Sequence, residues 1–145
     1  MNRIRVNRLI LAGLVTLLTF VAVEFIVESL LSRPLFGRAI QEWHQTLNLP
    51  AWDIGNSVLN LVIALVNCTL LIWLYAALRP MFGVGSQTAL ATSAFAFFFV
   101  AAFAINGVNL GTYPLRIALI ELGYQLVELP LAILAGARVY EGGVG

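Results

Sequence analysis

Four long runs of apolar residues dominate this chain of 145 residues. They cover about 9–31, 54–78, 87–105 and 115–139, and each approaches or exceeds the ~20 residues that an α-helix needs to cross a hydrocarbon core about 30 Å thick. Charged residues make up only 10% of the chain, against about 25% in soluble domains. The sequence therefore predicts an all-α integral membrane four-helix bundle that forms one transmembrane domain over residues 1–145.

The charge pattern excludes several classes of protein. The formal net charge is only +1, so the chain offers no strongly basic surface for nucleic acid. Every basic residue is an arginine, so no lysine can form a Schiff base with a cofactor. The only cysteine, Cys68, has no second cysteine with which to form an intramolecular disulfide. We expect no cofactor.

A polar segment over about 32–53 separates the first two apolar runs. Its apolar residues recur at helical spacing, with charged residues such as Arg38 and Glu42 between them. Trp43 and Trp52 are aromatic residues of the kind that lie at the level of the lipid headgroups. The pattern predicts a short interfacial amphipathic helix between the first and second spans.

Breaker residues predict where the later spans end. Pro80 and Gly83 close the second span, and Asn106-Gly107 begins the turn between the third and fourth. Pro130 lies within the fourth span and predicts a kink, which membrane helices tolerate when neighbouring groups satisfy the freed carbonyl.

The arginines predict the orientation of the chain, because cytoplasmic loops carry an excess of Lys and Arg. One side of the membrane receives Arg3, Arg5, Arg8, Arg79 and Arg138, and the other receives Arg33, Arg38 and Arg116. The bias favours a multi-pass protein of the cell membrane with both termini in the cytoplasm.

Carboxylates recur inside two spans, although each charged group there costs about 2.5 to 3.5 kcal/mol on insertion scales. Glu24 and Glu28 are one turn apart in the first span. Glu121, Gln125 and Glu128 follow one another at i, i+4 and i+7 in the fourth. Because buried charge in a membrane usually faces a bundle interior or a water-filled cavity, these residues are candidates for a binding site.

Two other segments add polar groups at a similar depth. Asn60 and Asn67 share one face of the second span, which we expect to face the bundle interior. Arg116 opens the fourth span, where it can approach Glu28 or Glu121 and partly neutralise them. The candidate residues for binding a ligand or protons are therefore Glu24, Glu28, Asn60, Arg116, Glu121, Gln125 and Glu128.

With the N-terminus inside, most of these groups fall in the outer half of the membrane. The sequence thus predicts a polar pocket that opens to the non-cytoplasmic face and is roofed by the amphipathic segment with Trp43 and His44. One alternative stays open: Glu28 and Glu121 extend to the interface, and the amides simply bond neighbouring helices. Catalytic and metal-binding arrangements are not expected, because His44 is the only histidine and lies in the connection.

Two segments carry a family resemblance. Residues 31–43 include Ser-Arg-Pro-Leu-Phe-Gly-Arg followed by Trp43, and residues 113–120 read Tyr-Pro-Leu-Arg-Ile-Ala-Leu-Ile. With Ile-Leu-Ala-Gly-Ala at 133–137, the chain resembles an uncharacterised bacterial four-helix integral membrane family, the domain of unknown function 1761. The resemblance implies four spans and a membrane location, and it supplies no activity. Glu24 departs from that family, whose first helix is normally uncharged there.

Two functions from different classes fit these residues. The first is a non-enzymatic membrane protein that binds a small polar or cationic ligand, or protons, in the predicted pocket. The second is a structural or accessory subunit that packs against larger membrane proteins through the aromatic run Phe95, Phe97, Phe98 and Phe99. The expected partners are the lipid bilayer and either a second copy of the chain or a larger membrane complex.

Overall fold

The structure, a computed structural model, describes residues 6–27, 29–30, 33–47 and 54–142. All regular structure in these ranges is helical, which confirms the predicted all-α class. The helices are α1 (Val6–Val27), α2 (Arg33–Thr46), α3 (Ile54–Phe82), α4 (Ser86–Asn109) and α5 (Leu115–Glu141).

Four of these helices, α1, α3, α4 and α5, are long and apolar enough to cross a membrane. They form one bundle in which α1 and α4 both pack against α5 and against α3. The short helix α2 lies between the first and second spans, as the sequence predicts. The integral membrane four-helix bundle is therefore confirmed as the fold class.

The second and third spans are longer than predicted. α3 continues through Pro80 to Phe82, because a proline in the last turn removes only one hydrogen bond. It ends where Gly83 adopts a left-handed φ of 83° and donates its N–H to the Arg79 carbonyl at 2.9 Å. α4 continues through Asn106-Gly107 to Asn109, so that dipeptide does not break the helix.

Small residues bring α1, α3 and α5 close together. A Cβ added at Gly136 of α5 would lie 2.9 Å from the Ala12 carbonyl oxygen of α1, and one added at Gly13 would lie 2.9 Å from the Thr69 Cα of α3. The Thr16 hydroxyl, beside Gly136, donates to the Ala12 carbonyl at 2.9 Å and so needs no partner across the interface. Close approach through small residues is the usual way in which membrane helices associate.

The end of the bundle where α1 begins and α5 ends, here named the termini end, holds a polar network around Glu141. The Tyr75 hydroxyl donates to Glu141 Oε1 at 3.0 Å and accepts the Gly85 N–H at 3.0 Å. Arg79 Nε lies 3.1 Å from Glu141 Oε1 and forms an ion pair with it, but the two groups are not aligned for a hydrogen bond. Arg8 Nη1 donates to the Glu141 carbonyl at 3.4 Å. The network joins α1, α3, α5 and the connection before α4.

The opposite end, here named the α2 end, is more open. Every residue of α3 from Ser57 to Ile63 is exposed, so two helical turns have no buried side. The buried residues of α3 begin only at Cys68, after the half-buried Ala64 and Leu65, and continue with Ile72 and Tyr75. α3 therefore packs firmly at the termini end and diverges from its neighbours at the α2 end.

Candidate functional site

A half-open cavity of about 600 Å³ lies at the α2 end, lined mainly by residues of α4 and of the connection between α4 and α5. Its volume is within the range of small-molecule sites in proteins, about 300 to 1,000 Å³. Four aromatic residues line it, and Glu121 is the single charged residue among the described lining groups. The aromatic lining consists of Trp43, Phe99, Phe103 and Tyr113.

The side chain of Trp43 connects α2 to the residues that line this cavity. Its indole Nε1 donates to the Thr112 carbonyl at 2.9 Å, and its ring lies 4.8 Å from the Tyr113 ring at an interplanar angle of 57°. The His44 ring also contacts the Trp43 ring, with centroids 5.3 Å apart and an interplanar angle of 52°. These contacts tie α2 to the connection between α4 and α5. The predicted roof at Trp43 and His44 thus lies beside the cavity, although His44 is not among its lining residues.

Tyr113 places a hydroxyl next to the only carboxylate of the cavity. Burial raises the pKa of Tyr113 above its usual range, and a hydrogen bond to Glu121 and the negative charge of that residue raise it further. The phenol therefore stays protonated at neutral pH and acts as a hydrogen-bond donor to Glu121. Gly107 of α4 allows Tyr113 to approach, because an added Cβ there would lie 3.1 Å from the Tyr113 Cβ.

The polar stripe predicted on the fourth span becomes more buried toward the middle of α5. Glu121 and Gln125 are half-buried, whereas Glu128 is 1% exposed. Glu128 Oε1 has no hydrogen-bond partner within the part of the chain that the structure describes. The stripe thus leads from the cavity at Glu121 to a carboxylate in the bundle interior.

Glu24 of α1 lies near this stripe. Its carboxylate lies close enough to Glu128 and Tyr124 to affect them electrostatically, although its own side chain is exposed and has an interaction with a neighbouring group. Glu28, the second carboxylate predicted in the first span, lies outside the described residues.

The remaining two described candidates, Asn60 and Arg116, are exposed, and of all the described candidates only Glu121 lines the cavity. Asn60 of α3 is exposed, as is Asn67 on the same face, so the expectation that this face points into the bundle interior is wrong. The physical reason is the divergence of α3, whose inward face is instead formed by Cys68 and Ile72. Arg116 is exposed in the first turn of α5, where it has an interaction partner.

Among the four aromatic lining residues, the sequence predicts only Trp43 as part of the pocket, in its roof. Phe103 is not among the predicted site residues, and Tyr113 enters only through the family resemblance, because periodicity does not show which aromatic ring meets a carboxylate of another segment. The signal present in the sequence is the Tyr113-Pro114 step directly before α5, eight residues ahead of Glu121. A tyrosine held there in a tight turn faces back along the helix that follows it.

No group of three or more histidine, cysteine, aspartate or glutamate side chains is arranged to hold a metal ion within residues 6–27, 29–30, 33–47 and 54–142. Cys68 is buried, and its thiol is not among the groups lining the cavity. The chemistry offered by the cavity is therefore that of aromatic faces, one carboxylate and one phenol.

Comparisons with protein-family models, with curated proteins and with solved structures find no match to this chain. The resemblance to the bacterial four-helix family accordingly stays a prediction, and the site has to be interpreted from its own geometry.

Proposed function

We propose that this multi-pass membrane protein binds a small organic cation in the cavity at the α2 end. The ligand class is an ammonium or guanidinium group with apolar substituents. Glu121 supplies the opposing charge, and the rings of Trp43, Tyr113 and Phe103 surround the apolar part. The observation that carries this proposal is a single carboxylate within an aromatic-lined cavity of about 600 Å³.

The chemistry of the lining favours a cation over other ligands. The faces of aromatic rings carry negative potential and attract ammonium and guanidinium groups by about 0.5 to 2 kcal/mol each. A carboxylate beside them repels anions, and a neutral ligand would leave its charge uncompensated in a partly dry site. Since the cavity is otherwise apolar, the ligand's substituents are expected to be hydrocarbon rather than hydroxylated.

The deeper carboxylates are candidates for proton binding. Glu128 lies farther along the stripe on α5 that starts at Glu121, with Gln125 between the two, and Glu24 of α1 lies near this stripe. Membrane-embedded carboxylates of this kind commonly hold protons. We retain them as proton-binding candidates that support the cation site rather than as its first contacts.

The arginine bias supports an orientation with the termini end in the cytoplasm. Arg8, Arg79 and Arg138 lie at the termini end, and Arg33, Arg38 and Arg116 lie at the α2 end. These six arginines are evenly divided, so the excess comes from Arg3 and Arg5, which precede α1 in the sequence. In this orientation the cavity faces the non-cytoplasmic side.

Cysteines introduced singly at Ser86 and Leu110 in a Cys68→Ser background should then differ in labelling of intact cells, with only Leu110→Cys reacting with an impermeant maleimide.

The alternative, an accessory subunit that uses the aromatic run of the third span as its contact surface, gains little support. Phe97 packs against the core and Phe99 lines the cavity. Phe95 and Phe98 remain exposed, as expected for a helix that faces lipid. The ring of Phe99 is also exposed and contacts the rings of Phe95 and Phe98, so three of the four rings form one exposed aromatic group. Lipid covers such a group as readily as a partner protein does, so the run does not favour the alternative.

Equilibrium binding to the protein in lipid nanodiscs tests the proposal. The probe is benzyltrimethylammonium, and its uncharged analogue neopentylbenzene has the same shape without the charge. We expect saturable binding of the cation only, and about tenfold weaker binding to Glu121→Gln because a charge pair worth about 1.4 kcal/mol is lost. Glu42→Gln is the matched control, since Glu42 is an exposed residue of α2 that does not line the cavity.

Two outcomes would contradict the proposal. Equal saturable binding of both probes would show that charge does not matter at the site. Binding of the cation that is unaffected by Glu121→Gln would place it somewhere other than the cavity.

A further inference from the structure

Two amide side chains of α3 are exposed at depths where lipid is the surrounding solvent. Asn67 lies about 15 Å along the helix axis from Ser57, where the apolar span begins, and so is close to the middle of a 30 Å hydrocarbon core. Asn60 lies two turns away on the same face. Both are exposed, and neither makes a side-chain hydrogen bond among the residues that the structure describes.

These asparagines belong to a regular stripe that is separate from the face packed in the bundle. Asn60, Ile63, Asn67 and Leu70 follow at intervals of three and four residues, the pattern of the a and d positions of a coiled coil. Ile63 is 48% exposed and Leu70 is 54% exposed. The inward face of α3, which includes the buried Cys68, lies about 100° away around the helix from Asn67.

Exposure to lipid is favourable for Ile63 and Leu70 but not for the amides. An unpaired amide group in hydrocarbon costs several kcal/mol, because lipid tails neither donate nor accept hydrogen bonds. A stripe of this composition is stable in a bilayer when another polar group covers Asn67. The covering group must both donate and accept a hydrogen bond, as an amide does.

We propose that the covering group is Asn67 of a second copy of this chain, and that α3 is the interface of a parallel dimer. Copies inserted in the same direction are related by a two-fold axis along the membrane normal, which places each residue of α3 opposite itself. Asparagine is self-complementary in this arrangement, since each amide donates to the carbonyl oxygen of the other. A buried asparagine at an a position also fixes the register of paired helices and favours a defined oligomer.

The divergence of α3 gives the partner room to approach. From Ser57 to Ile63 no side of the helix is buried, so a second α3 meets no neighbouring helix at the α2 end. The stripe shares no residue with the lining of the cavity, so the dimer does not depend on the proposed cation site. Failure of one proposal leaves the other standing.

Disulfide cross-linking in lipid vesicles tests the interface directly. Cys68 is the single cysteine of the sequence, so a Cys68→Ser background carries no other thiol. We expect Asn67→Cys in this background to cross-link efficiently into dimers under mild oxidation. Val66→Cys is the control at the same depth, since Val66 is 52% exposed but lies 100° around the helix. Similar cross-linking at both positions would indicate random collision and would overturn the proposal.

The amide itself is tested by the dimer fraction of full-length protein at fixed protein-to-lipid ratio, counted by single-molecule photobleaching. Asn67→Leu should weaken dimerisation about threefold to twentyfold, the range of interhelical hydrogen bonds in membranes. Asn67→Gln should retain most of it, because the amide is kept. A dimer fraction unchanged in Asn67→Leu, or wild-type protein that stays monomeric, would overturn the proposal.

Discussion

The two ends of the bundle are made from the same helices and pack differently. At the termini end Ile72, Tyr75 and Ile133 are fully buried and glycines bring the helices together. At the α2 end α3 diverges, and a cavity of about 600 Å³ opens. Since apolar side chains lose nothing by facing lipid, a membrane bundle can remain open at one end if the other end holds it together. The tight packing thus lies in one half of the bundle and the cavity in the other.

The largest effect is expected at the termini end, from a single methyl group at Gly136. Gly136→Ala forces a Cβ to within 2.9 Å of the Ala12 carbonyl oxygen, so α1 and α5 must move apart. We expect a loss of about 2 kcal/mol in the free energy of unfolding, measured in detergent. Gly123→Ala is the control on the same helix, where an added Cβ meets no atom within 4 Å. Equal losses for both variants would break the comparison between the two ends.

An intermediate effect is expected from the polar network. Tyr75→Phe removes the hydroxyl that bonds both Glu141 and the Gly85 N–H, which should cost about 1 to 2 kcal/mol by chemical denaturation. Tyr140→Phe is the matched control, because that tyrosine contributes its ring to Tyr75 and Arg79 rather than a described hydroxyl bond. If Tyr140→Phe were the more damaging variant, ring packing rather than the network would hold this end.

A smaller effect is expected at alkaline pH at the α2 end. The raised pKa of Tyr113 means that the folded state keeps a proton that the unfolded chain releases near pH 10. Its contribution to stability is therefore complete below about pH 10 and falls as pH rises above that value. Thermal unfolding at pH 8 and pH 11 should show a steeper loss for wild type than for Tyr113→Phe. Parallel losses would show that the phenol is not protected in the fold.

The smallest effect on stability is expected from Phe103→Ala. The ring is 83% exposed, so its removal should change the free energy of unfolding by no more than about 0.5 kcal/mol. Truncation of a buried aromatic residue costs about 3 to 5 kcal/mol by comparison. The same variant should weaken binding of benzyltrimethylammonium, because Phe103 lines the cavity. A large loss of stability would mean that the open end also holds the bundle together.

The sequence predicts the spans and the interfacial helix because both depend on local patterns. Apolar runs of membrane-spanning length specify α1, α3, α4 and α5, and apolar residues at helical spacing among polar ones specify α2. The ends of α3 and α4 were placed too early because Pro80 and Gly107 are breakers only when the surrounding structure cannot accommodate them. α3 tolerates the one hydrogen bond lost at Pro80, and in α4 Gly107 leaves room for Tyr113 to pack closely.

The candidate site was predicted less completely because it depends on how the helices are arranged. Periodicity correctly grouped Glu121, Gln125 and Glu128 on one face of α5, but it gave no depth of burial, and Glu128 differs sharply from its neighbours. The same periodicity grouped Asn60 with Asn67 and could not show that their face points outward. A polar stripe indicates an interface, but the stripe alone does not identify the surface that covers it.

The central position of α5 also determines when the bundle can assemble during synthesis. α1 and α5, the first and the last of the described helices, share the most extensive contact, and α4 packs mainly on α5 as well. α1 and α4 therefore enter the bilayer before their main packing surface has been translated, whereas α3 packs mainly against α1, which precedes it. Assembly of the four described spans is therefore completed only when α5 reaches the membrane.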